Sequence, residues 1–373
     1  MKNVALYIHI PFCMQKCYYC DFPSHAGKED CMPQYATALA KEINSIKDKK
    51  IKTIFIGGGT PTYLSLEGWG VIKKSIDKLE ICEDLEFTVE GNPGTFTKEK
   101  LKFLKAMGVN RLSIGLQAWQ DSLLKDLGRI HTVEDFKESF EMARDLGFDN
   151  INVDLMSGLP NQTLQQWQET LQKVTELNPE HLSCYSLIVE EGTAFYKNFE
   201  KGTLNLPDED LERAMYAETI IYLREKGYTQ YEISNFTKNN KPCIHNLVYW
   251  DLNEYIGCGA AAHSYSDGYR YRNEENVEKY IDKMNSKCSA VVEKKKNSFK
   301  DDMEEFMFMG LRKNIGINKS EFLQRFHKDI HEVYGEVISK YMSNELMDEN
   351  VDNIYLTSKG IEVSNVIMAD FLI

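Results

Sequence analysis

Through its first half the chain alternates short apolar runs with amphipathic stretches, and this alternation restricts the fold more than any other feature. Strand-like runs fall at residues 4–10, 52–56, 85–90, 111–115, 151–156 and 181–187. Helical periodicity fills the gaps at 33–45, 66–79, 98–107, 133–146 and 164–176. Near-continuous apolar strands joined through helices predict a parallel sheet. Six such units predict a barrel that is incomplete relative to the eight-stranded form. An open doubly wound sheet is the alternative, and it too would gather ligands at the C-terminal ends of its strands.

The second half has a different texture. Residues 208–226 read as one long helix starting after Pro207, and a dense polar and aromatic stretch follows from 228 to 271. Residues 287–300 are charged and weakly patterned, so they read as a linker, with Lys294, Lys295 and Lys296 as a solvated run. A chain of 373 residues exceeds the ~250–300 at which single cores stop growing. The expected division is therefore 1–295 for the barrel and the segment after it, and 296–373 for a small α+β domain of winged-helix-like form. Within the latter, Phe322, Phe326 and Ile330 at helical spacing read as core. Residues 354–357 read as a strand entering a helix.

Three of the nine cysteines carry chemistry. Cys13, Cys17 and Cys20 follow the first strand in a C-x-x-x-C-x-x-C spacing. Thiolates hold iron in clusters, and three of them leave one iron of a four-iron cluster free to bind a small molecule. The spacing also matches one face of a helix, but Pro11 and the strand before it argue against that. The other six cysteines show no framework and read as reduced thiols, mostly buried.

Polar residues recur just after the other strands. Gly57, Gly58 and Gly59 with Thr60 and Pro61 follow the second strand, and without a Cβ such glycines let backbone come close to a ligand. No G-K-[ST] follows, so this is not a phosphate loop. Glu90 ends the third strand beside Asn92 and Pro93, where its carboxylate can bind ribose hydroxyls. Gln117 follows the fourth. Asp154 lies inside the fifth, where a buried carboxylate needs a partner. These positions converge on one rim.

Composition excludes some classes. A formal net charge of −13 disfavours a nucleic-acid partner, because phosphate binding wants a basic surface. No apolar run approaches the ~20 residues of a membrane span, and no secretory h-region opens the sequence. The expected compartment is the cytoplasm, whose reducing conditions suit an exposed cluster.

These motifs together resemble the radical SAM superfamily, and within it the oxygen-independent coproporphyrinogen III oxidase family. The matching segments are Tyr-Ile-His-Ile-Pro-Phe-Cys at 7–13, Gly-Gly-Gly-Thr-Pro-Thr at 57–62, Leu-Ser-Ile-Gly-Leu-Gln at 112–117 and Val-Asp-Leu-Met-Ser-Gly-Leu-Pro at 153–160. The resemblance implies a partial barrel with a [4Fe–4S] cluster on Cys13, Cys17 and Cys20. It further implies S-adenosylmethionine (SAM) among Tyr7, Tyr19, Gly58, Gly59, Thr60, Glu90, Gln117, Arg129 and Asp154. In the oxidase, positions from Gly59 and Thr60 through Gln117, Arg129 and Asp154 serve a second SAM, so one or two molecules remain open.

Two departures point away from the oxidase. Where it carries a further cysteine two residues after the third ligand, this chain has Phe22. Residues 245–250, His-Asn-Leu-Val-Tyr-Trp, resemble the signature of the HemW-type heme chaperones. The resemblance implies heme bound near His245, Asn246, Tyr249 and Trp250. Imidazole ligates heme iron, and Tyr249 and Trp250 offer flat faces to a porphyrin. His263 and Cys243 are alternative iron ligands; His9 reads as structural. The implied partners are heme, recipient hemoproteins (membrane-bound respiratory enzymes among them) and an electron donor such as flavodoxin or ferredoxin. SAM cleavage is compatible with this branch; coproporphyrinogen decarboxylation is not expected of it.

Overall fold

The computed structural model describes residues 2–372. Six parallel strands form the centre: β1 (Lys2–Ile10), β2 (Lys49–Gly58), β3 (Glu80–Gly91), β4 (Arg111–Gln117), β5 (Ile151–Ser157) and β6 (His181–Ser186). They pair in sequence order without a reversal, which rules out the doubly wound alternative. Helices Met32–Ile43, Leu66–Ile76, Lys98–Ala106, Val133–Asp145 and Leu164–Glu176 connect them. Each expected strand and crossover helix is present, with ends shifted by a few residues.

Local chemistry explains these elements. β4 is buried at all seven positions and reads as near-continuous apolar sequence. The helices at 133 and 164 start on capping boxes, Thr132 with Asp135 and Thr163 with Gln166. Helix and strand side chains merge into one apolar core that encloses Trp69 and Trp167. The Trp167 indole donates to Thr219 Oγ1 at 2.9 Å, docking helix Glu209–Glu225 against the last crossover helix.

The sheet extends beyond the six strands on both sides. β7 (Thr229–Gln230) and β8 (Asn235–Thr237) add antiparallel beside β6. On the other side β9 (Tyr255–Cys258) pairs parallel with β1, followed by antiparallel β10 (His263–Ser266), β11 (Tyr269–Asn273) and β12 (Val291–Lys296). The last of these corrects the linker reading of 287–300. The lysine run lies in an edge strand, where charged side chains protect an unpaired edge, and Lys294 packs over the Tyr269 ring at 4.5 Å.

The C-terminal region follows the order helix Phe299–Gly310, β13 (Ile317–Asn318), helix Lys319–Phe326, helix Ile330–Ser343, β14 (Met347–Glu349) and β15 (Asn353–Leu356). Its sheet order, β13-β15-β14, is that of a winged helix. Phe322, Phe326 and Ile330 are buried in its core as expected, and Leu252 and Tyr265 from the preceding segment share that core. Among the described residues no helix is long and apolar enough to cross a membrane.

Candidate functional site

Residues 11–25 leave β1 without forming a helix, so the helical-stripe reading of the cysteines does not apply. The loop folds back on itself: Cys13 N donates to His25 O at 3.0 Å, and His25 N to Pro11 O at 2.8 Å. The three thiols thereby line one central cavity of about 430 Å³. The Cys13 sulfur accepts from Thr60 Oγ1 and the Cys17 sulfur from Arg129 Nη1, each at 3.6 Å. Burial pushes the Cys13 and Cys20 thiols up, so a coordinated metal, which deprotonates a thiol outright, would supply the charge they lack. Among the described residues no three His, Cys, Asp or Glu side chains close on one metal position. Each thiolate of an iron–sulfur cluster takes a different iron, so three thiols that line one cavity without meeting at a point fit such a group.

The strand ends supply the opposite walls. Tyr19, Gly58, Gly59, Glu90, Gln117, Arg129 and Asp154 line the same cavity. Tyr7 instead faces an adjoining recess of about 210 Å³, beside Glu90 and Gly58. Thr60 lies behind the cluster loop, where its hydroxyl accepts from Asn92 Nδ2 at 2.8 Å. Glu90 Oε2 accepts from Gly58 N at 3.1 Å. Burial, then the charge of Asp154, pushes the Glu90 carboxyl up to about 8. Asp154 accepts from Ser113 Oγ at 3.0 Å and Asn152 Nδ2 at 2.8 Å, and burial raises it too. Both carboxyls therefore hold protons more readily than free ones.

Gln117 sits at φ +74° where the β4–β5 register slips, a conformation costly for a residue with a Cβ. Arg129 Nη2 donates to Asn92 Oδ1 at 2.7 Å and to the Gly115 carbonyl, while its Nε is buried without a partner. Thiols, paired carboxyls and an under-bonded guanidinium around one cavity fit a cluster with a polar, zwitterionic ligand.

The glycines differ from expectation in what they approach. A Cβ on Gly57 would fall 2.6 Å from Glu90 Oε2, on Gly58 2.4 Å from the His9 ring, and on Gly59 2.7 Å from the Phe12 carbonyl. Gly59 N donates to Ile10 O and Thr60 N to Phe12 O, both at 2.8 Å. The run is required first by close packing against the Glu90 and His9 side chains and the backbone that leaves β1, and within it Gly58 and Gly59 also reach the central cavity.

The 245–250 motif sits beside the recess next to the central cavity. It forms helix Ile244–Trp250. His245 is fully buried, with Nδ1 bonded to Thr53 Oγ1 and Nε2 to the Tyr249 hydroxyl, both at 2.8 Å. Burial, aided by Arg111, pushes its imidazole down to about 3. Both nitrogens of this neutral ring are engaged, so in this structure His245 is not presented to iron. Cys243 is likewise buried; its thiol bonds Glu86 and burial pushes it up to about 12. Trp250 turns the other way, under the Arg312 guanidinium at 4.6 Å from its ring centre. His245, Asn246 and Tyr249 all line the recess. His9 is structural, as expected: Nε2 donates to Pro23 O at 2.8 Å and Nδ1 accepts from the Tyr7 hydroxyl at 2.9 Å.

Sequence reasoning missed the residues that hold this helix. Glu86 accepts from the backbone N–H groups of Ile244 and His245, each at 2.9 Å. Arg111, also buried, balances Glu86 and Asp154. The available signal was alternation in β3, since Glu86, Thr88 and Glu90 share one face while Leu85, Phe87 and Val89 take the other.

Comparison with known proteins agrees with this geometry. Residues 7–174 match the radical SAM superfamily model and residues 298–363 the HemN C-terminal domain model. A protein of Bacillus subtilis named heme chaperone HemW is 41% identical over 374 residues, covering 99% of both chains. A Lactococcus lactis protein of the same name is 38% identical, covering 100% of this chain and 98% of its own. Coproporphyrinogen III oxidase (HemN) from Escherichia coli superposes with a TM-score of 0.87 at 23% identity, over 99% of this chain and 90% of its own. That likeness establishes the fold. The end-to-end identity to the first two places the chain more narrowly: it belongs to the radical SAM superfamily, in the HemW branch of the oxygen-independent coproporphyrinogen III oxidase family.

Proposed function

We propose that this protein is a heme chaperone that carries a [4Fe–4S] cluster and SAM. The observation that supports it most directly is the likeness, from end to end, to proteins named heme chaperone HemW. In this reading Cys13, Cys17 and Cys20 hold the cluster, whose chemistry is to deliver an electron to SAM bound at its open iron. Gly58, Glu90, Gln117 and Asp154 bind and orient SAM, and Arg129 balances charge beside Cys17. Glu90, protonated near neutral pH, donates a hydrogen bond to a ribose hydroxyl and accepts one in return once ionised. Heme is the cargo, passed to recipient hemoproteins in the cytoplasm or at membrane-bound respiratory enzymes. A flavodoxin or ferredoxin is the expected electron donor.

The oxidase alternative is tested alongside. Full-length protein, reconstituted without oxygen, is divided into two portions. One is titrated with hemin and followed by its Soret band; the other is supplied with SAM, reductant and coproporphyrinogen III. Hemin binding without protoporphyrinogen formation is expected. Absence of hemin binding, or turnover of the porphyrinogen, overturns the proposal.

A further inference from the structure

Beside the central cavity lies a second pocket of about 360 Å³ that the radical SAM motifs do not use. It falls within the ~300–1,000 Å³ of small-molecule sites. Its floor is the sheet where β1 meets the added strands β9, β10 and β11. Tyr7, Phe22, Tyr249 and Tyr255 contribute aromatic surface, and His9, His263, Arg272 and Glu275 contribute the polar groups. Tyr7, Phe22 and Tyr249 also wall the recess next to the central cavity, and Phe22 borders all three spaces. A large, exposed phenylalanine at the junction of three pockets is an apolar surface without a protein partner of matching size.

The hydrogen-bond census singles out one ligand here. The three tyrosine hydroxyls are engaged: Tyr7 with His9, Tyr249 with His245, and Tyr255 with Arg270 at 3.0 Å. Both nitrogens of His9 are engaged as well. His263 is exposed on the pocket wall, and among the described residues its ring makes no hydrogen bond. Directly across the antiparallel ladder from it stands Arg272. That guanidinium uses its Nε on Glu293 at 2.8 Å, leaving its terminal amino groups for a carboxylate. An unengaged imidazole, an arginine one strand away and a wall of aromatic rings match the chemistry of a heme: a metal that takes nitrogen, a flat apolar ring and carboxylate side chains.

We propose that heme sits in this side pocket with His263 as its axial ligand and Arg272 on a propionate, while His245 acts one step removed, by fixing the Tyr249 ring that forms the pocket wall. The assignment rests on the heme-carrying function proposed above. It explains how a motif whose histidine is closed off from solvent could still bear on heme. It also gives Phe22 a role as the partition between heme and the cluster side.

The test uses full-length reconstituted protein titrated with hemin, with difference spectra taken against hemin-free samples. His263→Gly should shift the Soret band and weaken binding about tenfold or more, and added imidazole should restore the band. Arg272→Gln should weaken hemin about two- to fivefold while leaving hemin dimethyl ester, which lacks the carboxylates, unaffected. Because His263 and Arg272 lie outside the apolar core, both variants should fold. Should the parent protein bind no hemin, the heme-chaperone reading falls with this one. If the parent binds hemin and His263→Gly keeps its band and affinity, only the present assignment is overturned. Equal losses for hemin and its ester in Arg272→Gln would remove the propionate contact.

Discussion

The most quantitative consequence of the central cavity concerns Glu90. Burial and the neighbouring Asp154 raise its carboxyl from 4.5 to about 8. Between those values the native chain holds a proton that the unfolded chain has released. Stability must therefore fall as pH rises from about 4.5 to about 8, and level off above. At ~1.4 kcal/mol per pH unit the full interval corresponds to about 5 kcal/mol. Cavity water relaxes part of the burial penalty, which brings the expected effect to about 2–5 kcal/mol. Glu90→Gln has no charge to lose, and its amide can still face the Gly57–Gly58 backbone. The assay is urea unfolding of cluster-free protein from pH 5 to 8.5, followed by circular dichroism, for parent and variant in parallel. The variant should gain on the parent steadily across that range. Because Glu90 and Asp154 interact, the gain belongs to the pair's titration rather than to one carboxyl alone. Stability curves that stay parallel with pH would refute the claim that a buried, protonated Glu90 lies on the cavity wall.

Other positions yield shorter tests. Cys17→Ser should abolish the iron and sulfide, near four of each per chain in the parent, while the folded state survives; retention of a full cluster would reassign the ligands. Gly59→Ala drives a Cβ against two backbone carbonyls, Phe12 O at 2.7 Å and Ile10 O at 2.9 Å, neither of which can rotate away. A loss of about 2 kcal/mol or more is expected, read as a fall in Tm. Gly70→Ala, in open space within helix Leu66–Ile76, should instead raise Tm through ~0.5–1 kcal/mol of helix stabilisation. His245→Phe removes both ring nitrogens and leaves the Thr53 and Tyr249 hydroxyls without them, so Tm should drop by the equivalent of about 2 kcal/mol or more; an unchanged Tm would mean the ring is not part of the core.

The barrel was readable because its strands are buried on both faces, which leaves a dense apolar signature. β4 shows this in its extreme form, and even the strained Gln117 announces itself as an amide ending such a run. β12 carried no such signal. All six of its residues are exposed, so no face had to be apolar and its lysines read as linker. The cysteine loop was legible from spacing together with Pro11 and the strand before it, which excluded a helical stripe. His245 was harder. Its partner Thr53 lies 192 residues away and its helix is capped by Glu86, more than 150 residues away. Composition and spacing identify an imidazole, but not what occupies its nitrogens. His263 was named as an alternative ligand, but nothing in the sequence tells that its ring makes no hydrogen bond and lines a pocket.

The motif helix links the parts of the molecule. Seven residues are too few for a helix to persist by itself, so every face of this one depends on a neighbour. Glu86 satisfies its first N–H groups, and His245 anchors it to β2 through Thr53. At its other end Arg312 covers Trp250, and Lys313 pairs with Asp251. Both of these cations come from the C-terminal side of helix Phe299–Gly310. Asn246 and Tyr249 line the recess together with His245. Three of the four signature residues line the recess, with the nitrogens of His245 tied to Thr53 and Tyr249, while Trp250 faces the C-terminal region. This arrangement argues that the signature's spacing preserves a joint between two cores, and that the same joint holds Tyr249 at the edge of the side pocket.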